Sequence, residues 1–159
     1  MSIFDLTLPL ANGETLIMKS LQRRVLLIVN TATACGFSGQ LKHLAHLHEQ
    51  YEAEGFTLIA APCNQFSEQE PLDNAELCTF FEEKFCAHFP ILAKSNVEGP
   101  EQSMLYNLLN KNDPRRIKLF PFIPWNFTKL LINREGELVS RFAPLASMKR
   151  VEKAVTTIL

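Results

Sequence analysis

The chain is predicted to adopt an α/β fold, a central mixed sheet flanked by helices and preceded by a β-hairpin. Three features carry that expectation. Two apolar runs, residues 25–30 and 56–61, read as buried core strands. Between them, residues 39–54 carry apolar side chains at helical spacing, which makes the three segments a parallel crossover unit. Residues 128–132 and 138–142 flank the turn Asn133-Arg134-Glu135-Gly136, and a final amphipathic stretch follows.

Taken in order, residues 3–10 and 14–18 flank Asn12-Gly13, a dipeptide suited to a tight hairpin turn. Residues 25–30 are almost continuously Val, Leu and Ile, as expected for a strand covered on both faces. Leu41, Leu44, Ala45, His48 and Tyr51 mark one face of the first helix, and Gly55 is its expected C-cap. A polar loop, 62–71, follows the second core strand. Asp73 or Asn74 then caps a helix with Leu77, Phe80, Phe81 and Phe85 on its inner face. Residues 90–92 are extended. Residues 100–109 form a short helix with Met104, Leu105, Leu108 and Leu109 inward, and 111–124 is a proline-containing connection. Ser147 caps the last helix, which turns Val151, Ala154, Val155 and Ile158 inward. A β-α-β half followed by a β-β-α half is a thioredoxin-like order, expected to fill residues 1–159 as one domain.

Composition narrows the function classes. The 159 residues are 47% apolar and 21% charged, with 16 basic against 17 acidic side chains. A net charge of -1 leaves no electrostatic footprint for nucleic acid or an anionic membrane. No apolar run approaches the roughly 18 residues that a membrane span requires. The N-terminal residues show no basic, apolar leader, and the four cysteines form no C-x-x-C pair. Together these point to reduced thiols in a cytoplasmic setting.

Cys35 is the residue most suggestive of chemistry. It follows the first core strand and precedes the first helix, near unpaired backbone N–H groups and the positive end of a helix dipole. Both favour thiolate, the reactive form of cysteine. The simpler alternative is a small apolar residue that ends a strand. In Cys35-Gly36-Phe37-Ser38, a hydroxyl stands where a thioredoxin carries its second sulfur. Loops after adjacent parallel strands open on the same edge, so the loop after residues 56–61 faces Cys35. That loop offers the neutral amide of Gln69. Ahead of the later hairpin, Pro124-Trp125-Asn126-Phe127 offers an indole N–H and a second amide. Neutral donors aimed at a sulfur suit attack on a peroxide, where a departing oxyanion also needs stabilising. A loop hydrogen bond for Gln69 and core packing for Trp125 are the plain alternatives.

Three blocks carry a family resemblance. Asn30-Thr31-Ala32-Thr33-Ala34-Cys35-Gly36, Pro62-Cys63-Asn64-Gln65-Phe66 with Gln69-Glu70-Pro71, and Trp125-Asn126-Phe127 resemble, in order and spacing, the signatures of the glutathione peroxidases. The resemblance implies a thioredoxin fold and a catalytic tetrad of Cys35, Gln69, Trp125 and Asn126. It implies a thiol-dependent peroxidase that reduces hydrogen peroxide or organic hydroperoxides through a Cys35 sulfenic acid. The reductant would be glutathione or thioredoxin, with no cofactor. Selenium-containing members place selenocysteine where this chain has Cys35. Thr31, Thr33 and Ala34 depart from the usual residues, and Ser67 replaces a usual glycine. Thioredoxin-dependent members carry a resolving cysteine near Phe81 or Glu82, and neither is cysteine here. Cys78 and Cys86 lie a turn to either side, on the same helix face, and are the candidate resolving residues. Within an intact helix they stand ~12 Å apart and cannot bridge each other. The short 111–124 connection, against a longer insertion in tetrameric members, implies a monomer.

Cys63 reads as structural, because strand ends often bury cysteine. His43, His46 and His48 cluster without a Cys/His set at ligand spacing, so no metal site is expected. Arg115-Arg116-Ile117-Lys118 is a solvated basic run or an attractor for the carboxylates of glutathione. Two other functions are compatible with Cys35. One is a monothiol thioredoxin-like disulfide oxidoreductase. The other is a peroxide sensor that signals through a disulfide switch.

Overall fold

The computed structural model describes residues 1–115 and 120–159. Its four-stranded sheet has the order β4-β3-β5-β6, with β3 at Val25–Thr31, β4 at Phe56–Pro62, β5 at Lys129–Ile132 and β6 at Leu138–Phe142. β3 and β4 run parallel, whereas β5 is antiparallel to both β3 and β6. The sheet is therefore mixed, as the chain order predicts. A separate hairpin, β1 (Thr7–Pro9) with β2 (Thr15–Ile17), turns through Gly13 at φ +86°. The segment at 90–92 ties this hairpin to the sheet: Leu92 N–H donates to the Ala60 carbonyl, and Ala11 N–H donates to the Ile91 carbonyl.

Side-chain alternation along the strands builds two apolar layers. Leu26, Ile28, Ile59, Leu130 and Ile132 face one way, against the N-terminal segment and α3 (Met104–Asn112), which contributes Leu105, Tyr106 and Leu109. Val25, Leu27, Val29, Leu58 and Leu131 face the other way. There they meet α1 (Gln40–Tyr51) through Leu41, Leu44 and Leu47, α2 (Asn74–Phe85) through Leu77 and Phe81, and α4 (Met148–Ile158) through Val151 and Val155. Cys35 belongs to this second layer.

The helix limits follow local chemistry. Asp73 caps α2 with a reciprocal box: its carboxylate accepts from Glu76 N–H, and the Glu76 carboxylate accepts from Asp73 N–H. Ser147 caps α4 as expected. A short 3-10 turn, Glu52–Glu54, extends α1, and Gly55 closes it at φ +98°. A side chain at Gly55 would also strike the Arg134 guanidinium, which donates to the Arg23 and Glu54 carbonyls.

Two details differ from the sequence reading. Residues 3–5 form a 3-10 turn rather than strand, because Ser2 and Asp5 make a capping box around Ile3–Asp5. Met104 is 63% exposed rather than inward. The helix starts at Met104 behind the Ser103 cap, and that phase turns Leu105 and Leu109 to the core.

One charged group lies inside the second layer. Lys129 is fully buried, and burial lowers its pKa from 10.5 to about 8. Between those values the unfolded chain holds the proton and the folded chain does not. Stability contributed by this residue therefore rises with pH across that window. Lys129→Met is expected to be at least as stable as the parent at pH 7. Its advantage should shrink by about 3 kcal/mol as pH rises to 10.5, read by urea unfolding at a series of pH values.

Candidate active site

The sheet brings three loops to the end where β3 and β4 terminate. The first is 32–39, which leaves β3 and carries Cys35. The second is 63–71, which leaves β4 and carries Gln69. The third is 124–128, which leads into β5 and carries Trp125 and Asn126.

Cys35 is 4% exposed, in a turn whose backbone closes on itself. Cys35 N–H donates to the Ala32 carbonyl, and Ser38 N–H donates to the Cys35 carbonyl. Phe37 N–H points back at the sulfur, 3.4 Å from Sγ. Among the described residues this is the hydrogen bond that the sulfur receives; the sequence reading expected backbone N–H groups near Cys35 without naming Phe37. A main-chain N–H two residues ahead is a consequence of turn geometry, invisible in side-chain motifs.

Gln69 and Asn126 are brought together directly: Asn126 Nδ2 donates to Gln69 Oε1 at 3.0 Å. That contact occupies the Gln69 oxygen and leaves its Nε2 as a donor. The Gln69 carbonyl accepts from Ala34 N–H at 2.9 Å, one residue before Cys35. Asn126 is fully buried, and among the described residues its Oδ1 has no hydrogen-bond partner. Trp125 is half-buried, with its ring 5.7 Å from that of Phe66, centroid to centroid. No hydrogen bond joins the Gln69, Trp125 or Asn126 side chains to Cys35 Sγ among the described residues.

Two buried side chains hold the loops in place. Glu70 is fully buried; its carboxylate accepts from Thr33 N–H at 2.8 Å, the Thr33 hydroxyl at 2.7 Å and Leu72 N–H at 3.3 Å. It thereby fastens the second loop to the Cys35 loop. Asn64 supports it by accepting from Glu70 N–H at 3.0 Å. Asn30, also fully buried, holds the third loop. Its Nδ2 donates to the Trp125 carbonyl at 3.0 Å, its Oδ1 accepts from Thr128 N–H at 3.1 Å, and its carbonyl accepts from Phe127 N–H at 2.7 Å. Phe127 is held at φ +63°, a conformation such bulky residues rarely adopt. The sequence reading quoted Asn30 and Glu70 within its signature blocks but gave neither a role. A polar residue ending an otherwise apolar strand was the available signal for Asn30.

The other cysteines are placed differently. Cys63 is fully buried, and burial pushes its thiol pKa up. Its sulfur contacts Gln65, whose Oε1 also accepts from Val97 N–H at 2.7 Å, a structural arrangement. Cys78 is half-buried and Cys86 exposed. Both line a groove of about 630 Å³ with Glu82, Leu10 and Asn12, while Leu77 and Phe81 carry the face of α2 that shares a layer with Cys35. His48 is buried, its Nδ1 accepts from Leu58 N–H at 3.1 Å, and burial lowers its pKa. Among the described residues no three His, Cys, Asp or Glu side chains are grouped to hold a metal. The basic run at 115–118 lies outside the described residues except for Arg115, which stands 3.6 Å from the Asp113 carboxylate.

The sequence profile of the glutathione peroxidases matches residues 3–110. The chain belongs to the glutathione peroxidase family. It is 39% identical over 160 aligned positions to a glutathione peroxidase homolog BsaA of Halalkalibacterium halodurans, covering 100% of both chains. It is 35% identical to the glutathione peroxidase-like peroxiredoxin gpx1 of Schizosaccharomyces pombe, covering 98% of each. Among solved structures it superposes on T. cruzi GPX1 with a TM-score of 0.77 at 33% identity, covering 99% of this chain and 96% of that one. This glutathione peroxidase family member is accordingly a thiol peroxidase with a thioredoxin-like fold.

Two substitutions test how the loops are held. Glu70→Gln cannot accept from all three donors and leaves a buried N–H or O–H unpaired. It should lower unfolding stability by about 2 kcal/mol in urea titration. Ser67 sits at φ +55°, in the left-handed region that favours glycine. Ser67→Gly should raise stability by about 1 kcal/mol in the same titration.

Proposed function

We propose that Cys35 is the peroxidatic residue, that Gln69, Trp125 and Asn126 complete its catalytic site, and that the protein cycles through a Cys35 sulfenic acid. The observation that carries this reading is the linkage of Asn126 to Gln69, and of Gln69 through its own carbonyl to Ala34 beside Cys35. Loops from three distant stretches meet at the sheet edge that carries Cys35, and Gln69, Trp125 and Asn126 each carry a neutral N–H group. Such groups interact more strongly with a thiolate or a leaving oxyanion than with neutral sulfur, and need no titratable base.

The chemistry balances as follows. The Cys35 thiolate attacks one peroxide oxygen; an S–O bond forms and the O–O bond breaks. The sulfur is oxidised to sulfenic acid, and the leaving hydroxide or alkoxide takes a proton to give water or an alcohol. A first thiol condenses with the sulfenic acid to a disulfide and releases water. A second thiol then frees Cys35 by disulfide exchange.

The two thiols come from glutathione, or from a resolving cysteine followed by thioredoxin. The groove position of Cys78 and Cys86 bears on the second route. A disulfide from either to Cys35 calls for movement of α2, which Leu77 and Phe81 hold in the same apolar layer as Cys35. On this proposal the protein works as a monomer in a reducing, cytoplasmic setting, with the thiol reductant as its co-substrate and no cofactor.

Cys35→Ser should abolish peroxide consumption. Gln69→Ala and Trp125→Phe should each lower kcat/KM by about tenfold to a hundredfold. Consumption of peroxide by Cys35→Ser at the parent rate would remove the assignment. Peptide mass spectrometry after peroxide treatment separates the reductants. A Cys35–Cys78 or Cys35–Cys86 disulfide indicates thioredoxin, and a lone sulfenic acid that accepts glutathione indicates glutathione. Oxidation that stops after one equivalent, whatever thiol is added, would instead indicate a sensor.

A further inference from the structure

Lys129 opens β5, immediately after the turn that holds Trp125 and Asn126. Its side chain is fully buried on the Cys35 side of the sheet, and among the described residues no carboxylate stands within ion-pairing distance of it. The ammonium instead donates to Gln40 Oε1 at 2.5 Å and to the Pro144 carbonyl at 3.1 Å. Gln40 Nε2 donates to the same Pro144 carbonyl at 2.8 Å, closing a three-membered polar contact.

Gln40 is the first residue of α1, and that helix starts at Gly39 without a side-chain cap. Gln40 N–H donates to the Phe37 carbonyl at 2.9 Å. Phe37 N–H is in turn the donor at Cys35 Sγ. The start of α1, left uncapped, is thus gripped from the sheet through the side chain of its first residue. The grip passes to the residue whose N–H meets the sulfur.

A buried, unpaired ammonium is costly, and a methionine of similar length would pack in its place at no loss of stability. Apolar packing therefore does not explain a lysine here, whereas reach does. A donor head on a four-carbon stem spans from the strand to both the helix start and the Pro144 carbonyl.

We infer that Lys129 is a positioning residue for Cys35: through Gln40 it fixes the Phe37 turn that presents an N–H to the sulfur, and couples that turn to the strand leaving Trp125 and Asn126. The inference rests on Cys35 being the reactive sulfur. It adds a group that touches no substrate and appears in none of the three signature blocks.

The test is single-turnover oxidation of Cys35 by hydrogen peroxide, with thermal unfolding measured on the same samples. Lys129→Met and Gln40→Met should each slow oxidation by about tenfold, the worth of one well-placed hydrogen bond. Lys129→Met should melt no lower than the parent. The double variant should be no slower than Lys129→Met alone, because both changes break one contact. Gln40→Glu keeps an acceptor for the ammonium and should stay within about twofold of the parent. Oxidation of both methionine variants at the parent rate would overturn the inference. Should Lys129→Met fail to fold, Gln40→Met decides alone. Alkylation of Cys35 by iodoacetamide reads the same positioning without peroxide. A parent protein whose Cys35 alkylates but ignores peroxide would count against the peroxidatic role, and leave the Lys129 contact to be judged by alkylation.

Discussion

Two buried polar side chains, Asn30 and Glu70, hold the whole site together. Each lies at the end of the sheet, out of water, and each ties a loop other than its own: Asn30 the backbone around Trp125 and Thr128, Glu70 the N–H and hydroxyl of Thr33. A buried polar group without partners is expensive, so these contacts are close to obligatory once the sheet forms. Folding of the apolar layers therefore carries loop placement with it. Asn30 fixes the turn that bears Trp125 and Asn126, even with Phe127 in a left-handed conformation. Glu70 fixes the loop that bears Gln69 against the residues before Cys35.

The same logic accounts for where the chemistry can sit. Parallel β3 and β4 open their following loops on one edge, and antiparallel β5 brings its preceding loop to that edge. Three segments far apart in the chain meet because of strand direction alone. The thiol is nearly buried, at the border of an apolar layer, and receives a backbone N–H rather than a charged partner. Lys129 extends this pattern from β5, on the same side of the sheet, by gripping the start of α1 instead of capping it.

Much of this was legible in the chain. Apolar runs at 25–30 and 56–61, with helical spacing between, required a parallel pair. Asn12-Gly13 and the 133–136 turn required hairpins. That the loops of Cys35, Gln69, Trp125 and Asn126 share one sheet edge was legible from strand order and direction. Less legible were the contacts that hold those blocks. The Phe37 N–H at sulfur is a main-chain group and leaves no mark on residue identity. The burial of Glu70 and Lys129 could not be read from the chain, since residue identity alone carries no information on it. Met104 appeared inward because its neighbours are apolar, and only the Ser103 cap sets the phase that turns it out. The site of Cys78 and Cys86, in a groove against the N-terminal hairpin, depends on packing between elements that no local pattern encodes.

Competition among the four thiols for less than one equivalent of hydrogen peroxide, with a sulfenic-acid trap and peptide mass spectrometry, tests the central claim most directly. If converging neutral donors make one sulfur reactive, the trap should label the nearly buried Cys35 ahead of the exposed Cys86. Labelling that follows exposure instead, with Cys86 first and Cys35 last, would contradict the account.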